Sequence, residues 1–163
     1  MGPEVIAGAP GIFSDAVRAA FIELVRQGGE VGDDVLERNV RNAKSLVFLR
    51  LAGDLVGVAA LKNPIPSYPK RIGESAGFKI DAKAFPYELG YIFVVPQARG
   101  NGFSRVLAET AIGQADGSGI FATARTDNAA MRSTLLRVGF EAKGVPYVAR
   151  DKERFIQIFV LRG

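Results

Sequence analysis

The chain has 163 residues, 48% of them hydrophobic, enough to bury a core, so a single domain over residues 1–163 is expected. It contains no cysteine and no histidine, which excludes disulfides, serine–histidine and cysteine–histidine triads, and the His/Cys zinc sites of most metallohydrolases; no metal is expected. Lys plus Arg number 21 and Asp plus Glu 17, a net charge of +4 that suits a polyanionic small ligand, weak nucleic-acid attraction or an ordinary solvated surface. No apolar run approaches a membrane span, and the first residues lack a basic start with a long apolar core, so no membrane partner and a cytoplasmic location are expected.

Val5 to Ala7 reads as a short strand that Gly8, Pro10 and Gly11 interrupt. Val17, Ala20, Phe21, Leu24 and Val25 then recur at helical spacing, with Ser14 as cap and Gly28-Gly29 as stop. Asp33 can cap a second helix that carries Leu36 and Val40 and ends near Ala43. Ser45–Leu51 and Leu55–Leu61 are strand-like, and Ala52-Gly53-Asp54 supplies a hairpin turn. Residues 62–87 hold Pro64, Pro66, Pro69 and Pro86 with Gly73 and Gly77, which predicts a long irregular segment forming part of an acceptor pocket.

The stretch from Glu88 to Ala115 organises the rest. Tyr91 to Val95 is an apolar, β-branched and aromatic strand ended by Pro96, and Phe103, Val106, Leu107, Thr110 and Ala111 mark one face of a helix. Between them lies Gln97-Ala98-Arg99-Gly100-Asn101-Gly102. The first amides of a helix have no partner within it, and with the axial dipole they favour an anion such as a pyrophosphate. Glycines let backbone approach that anion, so a phosphate cradle is predicted here.

Downstream, Gly119 to Ala124 reads as a strand, and Thr126 or Asp127 can cap a helix burying Met131, Leu135 and Val138 and ending at Gly139. Val145–Ala149 and an alternating Phe155–Leu161 close the chain. Helices and strands therefore alternate around a mixed sheet. Two nucleotide motifs are absent, since QARGNG lacks the GxGxxG spacing and no GxxxxGK[ST] occurs. Gly73-Glu74-Ser75-Ala76-Gly77 matches the GxSxG nucleophile elbow, but it follows no predicted strand and has no histidine to activate its serine.

Gln97, Gly100 and Gly102, with Pro96 before them and Phe103, Ser104 and Leu107 after, resemble the acyl-CoA motif Q/R-x-x-G-x-G/A of the GCN5-related N-acetyltransferase (GNAT) superfamily. Asn128 to Phe140 is similar to that family's second acyl-CoA segment, an Asn-initiated helix closing in Gly-Phe; the likeness covers at least residues 86–140. It implies an α/β (α+β) fold, a mixed, mostly antiparallel sheet flanked by helices, with acyl-CoA bound at a splayed central strand. Phe93, Val94 and Val95 would then offer backbone groups to the pantetheine arm, and Asn128 a side-chain contact. The amides from Arg99 or Gly100 through Asn101, Gly102, Phe103 and Ser104 would hold the pyrophosphate.

The same resemblance implies acetyl transfer from acetyl-CoA to a primary amine by direct attack. The amine must be neutral to attack, and Glu88, placed where many members carry a glutamate base, would take its proton. Leu135 departs from the pattern, standing where many members carry a tyrosine that protonates the leaving thiolate; Tyr91, Tyr147, Ser133 or a water are substitutes. That departure keeps open an acyl-CoA-binding regulatory module without transferase activity. The acceptor is expected to be a small-molecule or peptide amine. The basic balance leaves room for a nucleic-acid-borne amine such as aminoacyl-tRNA, and open sheet edges for a homodimer.

Overall fold

The computed structural model describes residues 2–29 and 33–163. The chain falls into two compact units, Met1–Asn63 with Leu89–Asp116, and Pro64–Glu88 with Gly117–Gly163. Among the described residues seven strands are hydrogen-bonded in the order β1-β2-β3-β4-β5-β7-β6, a mixed, mostly antiparallel sheet. Their ranges are β1 (Glu4–Gly8), β2 (Ser45–Leu51), β3 (Asp54–Lys62), β4 (Tyr87–Val94), β5 (Ile120–Arg125), β6 (Glu141–Val148) and β7 (Phe155–Leu161). Among the described residues no helix is long and apolar enough to cross a membrane.

In the first unit, β1, β2 and β3 form an antiparallel ladder with Val47 opposite both Ala7 and Ala59. The hairpin closes on two residues rather than three. Ala52 (φ 51°) and Gly53 (φ 87°) are both left-handed, as the twist-matched tight turn requires, and Asp54 already pairs with Leu51. Helix α1 (Asp15–Gln27) starts at Ser14, whose side chain accepts the Val17 N–H at 3.2 Å. Its Phe21, Leu24 and Val25 pack with Leu36 and Val40 of α2 (Asp33–Arg41) and with Leu46, Phe48 and Val58. The Phe48 ring anchors this cluster, with Phe13 at 4.6 Å and Phe21 edge-on at 5.5 Å. Helix α2 ends at Arg41, short of Ala43, and the expected Asp33 cap lies outside the described side chains.

Helix α4 (Phe103–Gly113) buries Leu107, Ala108 and Ala111, so its core stripe is displaced from the expected face, and Val106 is exposed. Small residues cause the displacement. Alanines let the helix approach the sheet, and Gly57 makes room for Leu107, whose Cδ1 would stand 2.9 Å from a Cβ at that position.

In the second unit the predicted irregular segment is overturned by α3 (Ser67–Ala76). Proline density does not prevent this helix because Pro66 is its N-cap and Pro69 lies in the first turn, where amides have no helical acceptor to lose. Gly73 is tolerated in its interior because a Cβ there would stand 2.7 Å from the Phe78 carbonyl oxygen. Gly77, left-handed at φ 67°, ends it, so the GxSxG sequence is the last turn of a helix and its cap.

Helix α5 (Ala129–Arg137) is capped by Asn128, not by Thr126 or Asp127, and buries Leu135 while Met131 and Val138 are only half-buried. Strand β6 begins at Glu141, earlier than predicted, and its register with β7 shifts between Lys143 and Tyr147, at Gly144 (φ 71°) and Pro146. Strand β7 does not alternate: Gln157 to Val160 are all buried, because β7 lies between β5 and β6 and is covered on both faces. The Gln157 amide is satisfied by donating to the Lys143 carbonyl at 2.8 Å. A core of Ile72, Ala76, Ile80, Phe85, Phe121, Ile158 and Val160 unites α3 with this part of the sheet.

Candidate active site

In the first unit, β4 ends at Val94 and Pro96–Ala98 makes a single tight 3-10 turn. Gly100 (φ 84°) and Gly102 (φ 75°) are left-handed, a conformation that costs a residue with a Cβ roughly 1–2 kcal/mol. Among the described residues nothing lies within 4 Å of a Cβ built on either glycine, so both border open space. Gly102 is the N-cap of α4 and supplies no side chain to its first turn, and no acidic residue occupies that turn. Among the described residues the amides of Phe103 and Ser104 have no acceptor, whereas Val106 N–H reaches the Gly102 carbonyl at 3.3 Å. A pair of unpaired donors at the positive end of a helix, beside glycines that border open space, fits the diphosphate of a coenzyme.

The loop holds its own shape. Asn101 Nδ2 donates to the Ala98 carbonyl at 3.0 Å, and Arg99 Nε donates to the Val94 carbonyl at 2.9 Å while its guanidinium lies 5.5 Å from the Phe93 ring centroid. Arg99 thus ties the loop to the strand end through Nε, and its terminal nitrogens extend from that anchor. Gln97 is exposed and Ser104 half-buried.

Of the three residues predicted to offer strand-end groups, Val95 has its N–H on the Val56 carbonyl at 2.9 Å and its carbonyl on Ala98 N–H at 3.0 Å. The Val94 carbonyl is taken by Arg99. Phe93 packs against the first core with Tyr91 and Val95. Mid-strand Tyr91 is left-handed at φ 55°, a strained conformation for a residue with a Cβ; its hydroxyl accepts from Asn39 Nδ2 at 2.9 Å and Lys62 Nζ stands 4.3 Å over its ring.

In the second unit, Glu88 is 4% exposed and pairs with Phe121 in the parallel β4–β5 ladder, beside Tyr87 with Ile120. The Tyr68 hydroxyl donates to Glu88 Oε2 at 3.2 Å. Burial and the Glu88 carboxylate hold the Tyr68 phenol well above its usual value. Tyr147 belongs to the same group: burial and the same carboxylate push it up to about 12, against a smaller opposing pull from Arg71. The Arg71 guanidinium lies 5.5 Å from the Tyr68 ring centroid, and that ring tilts against Phe121 at 6.3 Å. Glu88 is therefore a buried carboxylate flanked by two neutral phenols.

The local sequence does not single out Tyr68, and it marks Arg71 only as one of several basic residues in 62–87, because proline density there predicts an irregular segment. The available signal was Pro66-Ser67-Tyr68-Pro69, prolines at the opening of a helix. Asn128 Oδ1 accepts the Met131 N–H at 3.1 Å, so its oxygen serves the cap and only its Nδ2 is left to contact a ligand. Leu135 is 1% exposed, a core residue. Among the described residues no group of three or more acidic side chains could hold a metal.

A mixed sheet whose strand β4 runs into a turn with two glycines bordering open space, and then into helix α4, defines an α/β protein. The chain belongs to the acetyltransferase (GNAT) family, whose model matches residues 16–140. Comparison with curated proteins gives no match. Among solved structures, an acyl-CoA N-acyltransferase from Pseudomonas aeruginosa is 14% identical, with a TM-score of 0.66 over 99% of this chain and 100% of that one. The ribosomal-protein-S18-alanine N-acetyltransferase of Escherichia coli is 15% identical, with a TM-score of 0.69 over 99% and 94%. A Salmonella typhimurium protein, yncA, solved with its cofactor acetyl-CoA, is 15% identical with a TM-score of 0.68 over 99% and 94%. These likenesses show the fold.

Proposed function

We propose that the protein is an acetyl-CoA-dependent N-acetyltransferase acting on a primary amine by direct attack. The observation that carries the reading is the pair of left-handed glycines bordering open space, ahead of the unpaired Phe103 and Ser104 amides. These amides, with those of Gly100, Asn101 and Gly102, bind the pyrophosphate, and Arg99 adds its terminal nitrogens. Phe93 and Val94 offer the pantetheine arm what backbone β4 has left; Val95, already paired on both sides, contributes only its side chain. Asn128 donates from Nδ2. The bound thioester supplies an activated acetyl carbon.

Glu88 removes a proton from the incoming ammonium or from the attacking amine, directly or through one water. As the N–C bond forms, the C–S bond breaks. Tyr68 holds the carboxylate in place and, neutral at physiological pH, competes for none of the acceptor's protons. With Leu135 in the core, no phenol stands at that helical position. The thiol of the leaving group, with a pKa of about 8.5, departs tolerably as a thiolate that solvent then protonates.

Isothermal titration with acetyl-CoA tests the binding half: heat at micromolar ligand is expected, and none at high micromolar ligand overturns the reading. A thiol-detection assay over a panel of amines tests the chemistry. The buried Leu135 supports one competing reading, an acyl-CoA-binding regulatory module without turnover. Steady, amine-dependent CoA release rejects that module.

A further inference from the structure

The basic residues of α3 and the segment after it are not equivalent. Lys70, Lys79 and Lys83 line a cavity of about 660 Å³ with Pro66 and Gly73. Arg71 does not line it. One helical turn beyond Tyr68 and on the same face of α3, it lies over the ring whose hydroxyl bonds Glu88. Arg71 is exposed, and no carboxylate lies within salt-bridge distance of it among the described residues. An exposed guanidinium, with Cζ 5.5 Å from the Tyr68 ring centroid, offers its planar N–H fork to a two-oxygen partner.

We propose that Arg71 is a specificity residue that selects acceptors carrying a carboxylate beside the amine, the amino-acid class, over neutral amines and polyamines. The placement of the acceptor amine in this inference rests on Glu88 being the base; the carboxylate selection by Arg71 is read separately. An amine must come within hydrogen-bond reach of Glu88, or one water away, to lose its proton. The buried carboxylate of Glu88 and the exposed cation of Arg71 then form a dipole across Tyr68 that complements an acceptor with ammonium at one end and carboxylate at the other. A second ammonium on the acceptor would meet Arg71 and be repelled, which disfavours diamines and polyamines.

The test compares, for the full chain with saturating acetyl-CoA, kcat/KM on matched pairs: an amino acid against its carboxamide and against its decarboxylated amine. The wild type is expected to favour the carboxylate member by roughly tenfold or more, mainly through KM. In R71A that ratio should fall to near one, and in R71K to an intermediate value, because a point charge replaces a fork. The ratio is taken within each variant, so partial loss of folded protein cancels. Turnover without carboxylate preference, or a preference that survives R71A, overturns this proposal and leaves Glu88 as base untouched. Full turnover in E88Q with the Arg71-dependent ratio intact overturns the base alone, and no turnover of any pair overturns both.

Discussion

Replacing Gly102 by alanine separates the cost of a conformation from the cost of occupied space. Gly102 has φ 75° and nothing within 4 Å of its missing Cβ, so the new methyl clashes with no protein atom and the folding penalty is the left-handed strain alone. That strain is roughly 1–2 kcal/mol, offset by about 0.4–1 kcal/mol from a stiffer unfolded chain. The net loss, on the order of 1 kcal/mol, lowers the thermal midpoint by roughly 2–4 °C for a chain of this length. Gly53, at φ 87° in the β2–β3 turn and equally unobstructed, provides the control: G53A should cost the same stability. Binding should divide the two variants. The methyl of G102A stands where the pyrophosphate must approach the amides, and acetyl-CoA affinity should drop by at least about tenfold, about 1.4 kcal/mol, while G53A binds as the wild type does. G102N sharpens the test, since asparagine tolerates the left-handed region and should recover stability without recovering affinity. Titration calorimetry with acetyl-CoA, beside thermal unfolding followed by circular dichroism, reads both quantities. Wild-type affinity in G102A, at the expected stability loss, would refute the cradle.

Removing the phenol donor in Y68F should lower kcat by roughly ten- to hundredfold, in line with the ~1.5–3 kcal/mol carried by a hydrogen bond to a charged acceptor, with KM for acetyl-CoA within about twofold. E88Q should lower kcat by about 10²–10⁴, and Y68F/E88Q should be no worse than E88Q; steady-state kinetics on all three variants decides, and additive losses would count against the pairing. N128A should lose about 1 kcal/mol with its cap. N128D keeps the cap oxygen but not the amide donor, so its thermal midpoint should match the wild type while acetyl-CoA binds more weakly; unchanged affinity removes Asn128 from the cofactor contacts. Alkaline unfolding should report the two phenols. Their folded pKa values lie above the unfolded value of 10.0, Tyr147 at about 12, so the native state holds protons the unfolded state releases. Their contribution to stability is intact below pH 10 and declines as pH rises through 10 toward 12. Urea midpoints measured across that window should fall, and should fall less in Y147F.

Most of the structure of the first unit was legible because it is local. Pro96 ending a strand, two glycines, and apolar residues at helical spacing are facts about consecutive residues, and so are the Ser14 cap and the hairpin at Ala52-Gly53. Errors came where long-range packing decided the outcome. Pro69 and Gly73 argue against a helix by local propensity, yet α3 forms because its prolines fall where amides lack helical acceptors and because Ile72, Gly73 and Ala76 fit the core. Phe155–Leu161 reads locally only as an alternating strand, whereas its place between two neighbours decides that Gln157 to Val160 are all buried.

By itself the sequence determined the family's signature loop and the absence of thiol and imidazole side chains, since each depends on residue identity or short spacing, and the family resemblance pointed to Glu88. Only the tertiary structure decided what surrounds that carboxylate. Tyr68 lies twenty residues before Glu88 and Tyr147 far beyond it, and no periodicity relates them. They meet because α3 packs its Ile72 and Ala76 into the same core as Phe121 and Ile158, and burial of that apolar face fixes where the phenols, and Arg71 beside them, are held.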